Sequence, residues 1–77
     1  MMIGDMVRVV KIPEGLKDDS ELKTLSIFKL CLGRTFPVAA VENNFIELQV
    51  GEVVGENYYS HSIWIEPECL ELLQYSN

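Results

Sequence analysis

The chain opens with a pattern typical of a β-strand. Residues 6–12 are rich in β-branched side chains and are followed by Pro13-Glu14-Gly15, where proline cannot continue a strand ladder. Apolar side chains occupy both odd and even positions of this run, so strict alternation fails. We therefore predict a first strand over residues 6–12 that contains a β-bulge near Val9.

Residues 18–32 show a different spacing, because apolar residues recur every three or four positions. The residues on this stripe are Leu22, Leu25, Phe28 and Leu32. Asp18 and Glu21 resemble a capping box, Ser20 is an alternative cap, and Gly33 has the position of a left-handed residue that ends a helix. The pattern predicts one amphipathic helix of about three turns.

After Gly33 the spacing of a β-strand returns. Pro37 weakens part of the second strand to an edge or a bulge, Asn43-Asn44 favours a tight hairpin turn, and Glu66-Pro67-Glu68 favours a single 3-10 turn. Alternation turns Phe36, Val38, Ala40, Ile46, Leu48, Val50, Ile63 and Ile65 inward. The four further strands are predicted over residues 35–41, 45–50, 58–65 and 69–73.

This element order resembles that of an SH3-like barrel. The resemblance lies in residues 4–9 (GDMVRV), 32–38 (LGRTFPV) and 63–72 (IWIEPECLEL), and it covers nearly the whole chain. The opening segment is similar to the barrels of the photosystem I stromal subunit, the ferredoxin–thioredoxin reductase variable chain and the nitrile hydratase beta subunit. The nearest resemblance is to uncharacterised bacterial SH3-like proteins. It implies a mainly β, five-stranded, mostly antiparallel SH3-like barrel, with one short helix between strands one and two and a 3-10 turn before the last strand.

Signalling SH3 domains carry an aromatic ALYDY-type run and a Pro-x-x-Tyr motif, and this chain has neither. Leu70 occupies the position where that tyrosine would lie. The resemblance therefore does not imply a groove for proline-rich peptides.

Charge divides the chain into two unequal parts. The 77 residues include 12 acidic and 6 basic side chains, which give a net charge of −6 and fit one small domain over residues 1–77. All six basic residues lie within the first 34 positions, and residues 35–77 carry seven glutamates without any Lys or Arg. An acidic surface repels phosphates, so we expect no nucleic-acid binding and rank a KOW-like nucleic-acid-binding barrel last.

The side chains that could carry chemistry are scattered. His61 lies between Ser60 and Ser62, but neighbouring strand residues point to opposite faces. Cys31 and Cys69 form no closely spaced ligand pair and are expected to be buried thiols. Residues 51–55 lack the Lys-Ser/Thr of a phosphate loop. We predict no catalytic residue, no metal and no cofactor.

Three aromatic residues form the candidate partner site. Alternation places Phe45, Tyr58 and Trp64 on the outer side of strands three and four, bordered by Glu47 and Glu66. Either the helix covers them or they bind a partner protein, which the acidic border predicts to be basic. The predicted function is a non-enzymatic protein-interaction module or accessory subunit; the alternative is a small chain that completes the active site of a partner enzyme.

The sequence also predicts where the protein resides. It has no apolar run long enough to span a bilayer and no signal-peptide pattern at its start. We expect a cytoplasmic protein that does not bind membranes, and the sequence leaves its oligomeric state open.

Overall fold

A computed structural model describes residues 1–20 and 23–75. Within them the chain is mainly β, with five strands, one α-helix and three 3-10 helices. The helix lies between the first two strands, and a 3-10 helix precedes the last one, as the sequence predicts. The elements are β1 Met6–Val9, α1 Thr24–Cys31, β2 Thr35–Glu42, β3 Phe45–Gln49, the 3-10 helices Gly51–Val54 and Tyr58–Ser60, β4 Ser62–Ile65, the 3-10 helix Pro67–Cys69, and β5 Leu70–Gln74.

The five strands form one antiparallel sheet in the order β4-β3-β2-β1-β5. The start of β2, residues 35–37, pairs with β1, and its remainder pairs with β3 across a register shift between Val38 and Ala40. The irregularity predicted around Pro37 therefore falls just after it, where β2 changes partner. Among the described residues no pairing joins β4 to β5, so the sheet is open and the predicted SH3-like barrel is not confirmed.

The core lies on the inner face of this sheet, against α1. The inward positions predicted on β3 and β4 are confirmed, because Ile46, Leu48, Ile63 and Ile65 are buried, as is Val50 after β3. Phe28 and Cys31 of the helix pack against them. Alternating apolar side chains on a sheet need such a partner surface, and the helix supplies it.

The first strand is shorter than predicted. It ends at Val9, Val10 is 49% exposed, and the register shift against β5 falls between Met6 and Val7 rather than near Val9. A contact between distant residues explains why β1 ends here. The amide of Gly33, in the turn before β2, donates to the carbonyl of Val9 at 2.7 Å, so the main chain after Val9 has no β2 residue beside it. Val10 lies outside the core because it points to the opposite face from the buried Val9.

The helix is also shorter than predicted. It has eight residues, about two turns, and its cap residue Lys23 makes no side-chain capping hydrogen bond. Asp18 instead accepts hydrogen bonds from the Ser26 amide at 2.9 Å and from the Ser26 hydroxyl. The Ser26 amide is one of the four unpaired donors of the first helical turn, so Asp18 caps the helix from outside it. The helix therefore begins later than the predicted cap positions Asp18 and Ser20 imply, and Asp18 reaches its first turn from eight residues before Ser26.

Two residues of the predicted helix, Glu21 and Leu22, lie outside the described residues. At the other end Leu32 is exposed rather than buried on the helical stripe. The predicted role of Gly33 is confirmed, because its φ is +81° and the Arg34 amide bonds to the Cys31 carbonyl at 2.9 Å in a tight turn.

The fourth strand begins at Ser62 instead of residue 58, because the preceding loop is compact. A Cβ atom on Gly51 would lie 1.8 Å from the main-chain oxygen of Asn57, so only glycine allows this approach. The loop then continues into the 3-10 helix Tyr58–Ser60. Tyr58 is therefore a loop residue and not a strand residue.

Candidate functional site

Phe45 and Trp64 lie side by side on the outer face of the sheet. The two-residue turn at Asn43 and Asn44, with φ angles of +50° and +66°, starts β3 at Phe45, as the sequence predicts for a hairpin. Phe45 is 40% exposed and Trp64 is 41% exposed. Together with Glu42 and Asn43 they line a groove of about 360 Å³, which we call the aromatic groove.

Tyr58 does not belong to this groove. Its ring packs edge-on against Tyr59, with centroids 5.3 Å apart and an angle of 87° between the planes. It lines a second groove of about 700 Å³ together with Arg34, Pro37 and Gln49. The structure therefore brings together two of the three predicted aromatic residues and separates the third.

Carboxylates lie close to the aromatic groove. Glu47 is half-buried and directly opposite Trp64 in the pairing of β3 with β4, and Glu66 follows the end of β4. Glu42 lines the groove itself and pairs with Phe45 across the hairpin. Glu42 is absent from the predicted site, although the predicted two-residue turn implies that it pairs with Phe45.

The helix borders Trp64 without covering it. A third groove of about 380 Å³, the helix groove, separates α1 from β4. Trp64 and Ile63 form one wall, and Ile27 and Phe28 of α1, with Leu16 before it, form the other. Trp64 therefore stands between two grooves and keeps a solvent-exposed face.

The residues considered for catalysis or metal binding are His61 and the two cysteines. The Nε2 atom of His61 lies 3.4 Å from a carboxylate oxygen of Glu56 on an exposed loop. Both cysteines are free and buried. Burial raises the pKa of the Cys31 thiol to about 11, and it also raises the pKa of Cys69, with nearby Glu66 acting in the same direction.

No group of three or more His, Cys, Asp or Glu side chains in residues 1–20 and 23–75 is arranged to hold a metal ion. In the same part of the chain, no helix has the length and apolar character needed to cross a membrane.

Comparisons of the chain with family models, with curated proteins and with solved structures found no match. The resemblance to SH3-like barrels therefore depends on the residues of the chain and on its element order.

Proposed function

We propose that this domain is a non-enzymatic protein-interaction module or accessory subunit that binds a basic segment of a partner protein at the aromatic groove. The observation that carries the proposal is the pair Phe45 and Trp64, exposed together on the outer face and bordered by Glu42 and Glu47. Clustered exposed aromatics are unfavourable in water and favourable in an interface.

The chemistry of the groove supports a basic partner. Tryptophan and other aromatic residues dominate interface energetics because they bury a large area with few rotatable bonds. A Lys or Arg side chain over the Trp64 ring would gain a cation–π interaction, and the flanking carboxylates would increase the rate of encounter. The seven glutamates of residues 35–77, without any Lys or Arg, extend this preference over the surrounding surface.

The element order supports an SH3-like arrangement of the domain. The helix occupies the long connection between β1 and β2, a two-residue hairpin joins β2 to β3, and a 3-10 helix precedes β5. We propose that the domain is an SH3-like barrel of bacterial type and that it acts in the cytoplasm.

The test begins with identifying the partner. A photo-crosslinking amino acid in place of Phe45 captures proteins that touch the groove in the native host, and mass spectrometry identifies them. The purified partner is then titrated against the wild-type protein, Trp64→Ala and Glu47→Gln, with Tyr75→Ala as the control, because Tyr75 is 75% exposed beyond β5.

We expect Trp64→Ala to weaken binding by about 30-fold or more, the effect of losing an interface hot spot. Glu47→Gln should weaken binding less and should reduce its dependence on salt concentration. The control variant should bind as the wild type does. Equal affinity of Trp64→Ala and the wild type would refute the proposal.

A further inference from the structure

Strand β4 is an edge of the sheet, and its free side carries main-chain donors and acceptors. The amide of Val50 donates to the carbonyl of His61 at 2.8 Å, which fixes the hydrogen-bonding phase between β3 and β4. In an antiparallel pair, hydrogen-bonded and non-hydrogen-bonded residues alternate. His61, Ile63 and Ile65 therefore bond toward β3, whereas the N–H and C=O groups of Ser62 and Trp64 point away from it.

This free side is available within the described part of the chain. β4 pairs with β3 alone, and no main-chain hydrogen bond from another described element reaches residues 62–65. The helix groove runs beside the edge, with Leu16 and Ile27 on its far wall. A strand added here would therefore form main-chain hydrogen bonds with β4 and would lie beside the apolar side chains of the helix groove.

The charges around the β4 edge indicate which side chains an added strand would have. Trp64 and Glu47 lie opposite each other on the outer face, so a residue added beside Trp64 would lie next to an aromatic ring and near a carboxylate. Lys23, the residue before α1, lines the helix groove and disfavours a second basic side chain there. The outer face favours a basic side chain, and the groove favours an apolar one.

We infer that an extended segment of the partner protein adds to the β4 edge as a sixth strand, with alternating basic and apolar residues. Its main chain bonds to Ser62 and Trp64, its basic side chains lie beside Trp64 and Glu47, and its apolar side chains enter the helix groove. This inference rests on the proposed function and adds the conformation and sequence pattern of the bound segment.

A second copy of this chain fits the edge less well. Pairing β4 with the β4 of another copy would bring together the acidic parts of both chains, because residues 35–77 carry seven glutamates and no Lys or Arg. Like charges placed together at an interface oppose association. A basic segment from another protein avoids this repulsion.

The variant Ser62→Pro tests the hydrogen bonds directly. Proline removes the outward N–H of Ser62, and it is tolerated at the first residue of an edge strand. The backbone of His61, with φ −136° and ψ 142°, already has the extended conformation that a residue before proline requires. Ser62→Ala is the matched control, because it removes the hydroxyl group and keeps the N–H.

The probe is a capped eight-residue peptide that alternates Lys and Val, compared with a block peptide of four Lys followed by four Val. We expect saturable binding of the alternating peptide and binding roughly two- to tenfold weaker with Ser62→Pro, as for one lost hydrogen bond. Ser62→Ala should bind as the wild type does, and the block peptide should bind more weakly.

Amide hydrogen exchange followed by NMR on the wild-type protein gives a measurement that does not depend on the folding of Ser62→Pro. The amides of Ser62 and Trp64 should exchange rapidly in the free protein and become protected when the alternating peptide binds. Binding without this protection would overturn the inference. Equal binding of the two peptides, or no saturable binding up to about 1 mM, would also overturn it.

The variants separate failure of the inference from failure of the proposed function. If Trp64→Ala abolishes binding of the crosslinked partner but Ser62→Pro does not, the groove binds a partner in another conformation and strand addition is wrong. If neither variant weakens binding, the proposed function is wrong as well. Sedimentation that shows a dimer disrupted by Ser62→Pro would identify a second copy as the occupant and overturn the assignment to a basic partner.

Discussion

Substituting Gly51 by alanine tests the close approach that makes the loop before β4 compact. The new Cβ would lie 1.8 Å from the main-chain oxygen of Asn57. Ordinary carbon–oxygen contacts are about 3.3 Å or longer, so the two segments must separate by roughly 1.5 Å. The obstructing atom belongs to the main chain, and it cannot move aside as the end of a flexible side chain can.

We expect Gly51→Ala to lower the free energy of unfolding by about 3 kcal/mol, at the upper end of the cost of overpacking. For a domain of this size, this corresponds to a decrease in Tm of roughly 12 to 24 °C. Thermal and urea unfolding followed by circular dichroism measure both values. The NMR signals of Tyr58 should also change, since the 3-10 helix begins next to Asn57.

Gly55→Ala in the same loop is the matched control. Gly55 has a φ of +78° but no atom within 4 Å of an added Cβ, so alanine there meets backbone strain without a clash. That strain costs about 1 to 2 kcal/mol. A Gly51→Ala protein within about 0.5 kcal/mol of the wild type, or more stable than Gly55→Ala, would refute the close approach.

Three further predictions concern stability and reactivity. Leu48→Ala, at a fully buried position, should lower the free energy of urea unfolding by roughly 3 to 5 kcal/mol. Trp64→Ala should lower it less, because Trp64 is 41% exposed. The reverse order would contradict the outward position of Trp64. The hydrogen bonds from the Ser26 hydroxyl and amide lower the pKa of Asp18 below its ordinary 3.8, so its stabilising contribution is complete above that pH and is lost as the pH falls through the lowered pKa. NMR titration should show this pKa returning toward 3.8 in Ser26→Ala, and an unchanged value would disprove the contact. Burial raises the pKa of Cys31 to about 11, so its thiol should react with Ellman's reagent at pH 8 only after unfolding. Rapid labelling of the native protein would argue against the burial of Cys31.

Much of the sheet could be predicted from the sequence, because strand alternation depends on neighbouring residues alone. Ile46 and Leu48 are buried and Phe45 is exposed, as a period of two requires. The turn at Asn43 and Asn44 followed equally from local chemistry, since asparagine tolerates the positive φ angles that a two-residue hairpin needs. These signals also placed Phe45 and Trp64 on one face.

The ends of the elements could not be predicted in this way, because contacts between distant residues determine them. β1 ends where its β2 neighbour is lost, and Asp18 caps a helix that begins beyond it. Extending the alternation of β4 backward wrongly places Tyr58 on that strand, because Tyr58 lies in a 3-10 helix. The approach of Gly51 to Asn57 interrupts that strand, and no local pattern reveals such an approach.

The open edge of β4 is likewise a property of the tertiary structure. The sequence predicts that residues 62–65 form a strand and that Trp64 faces outward, but hydrogen bonds between strands depend on which segments become neighbours in space. The order β4-β3-β2-β1-β5 leaves one side of β4 without a partner among the described residues.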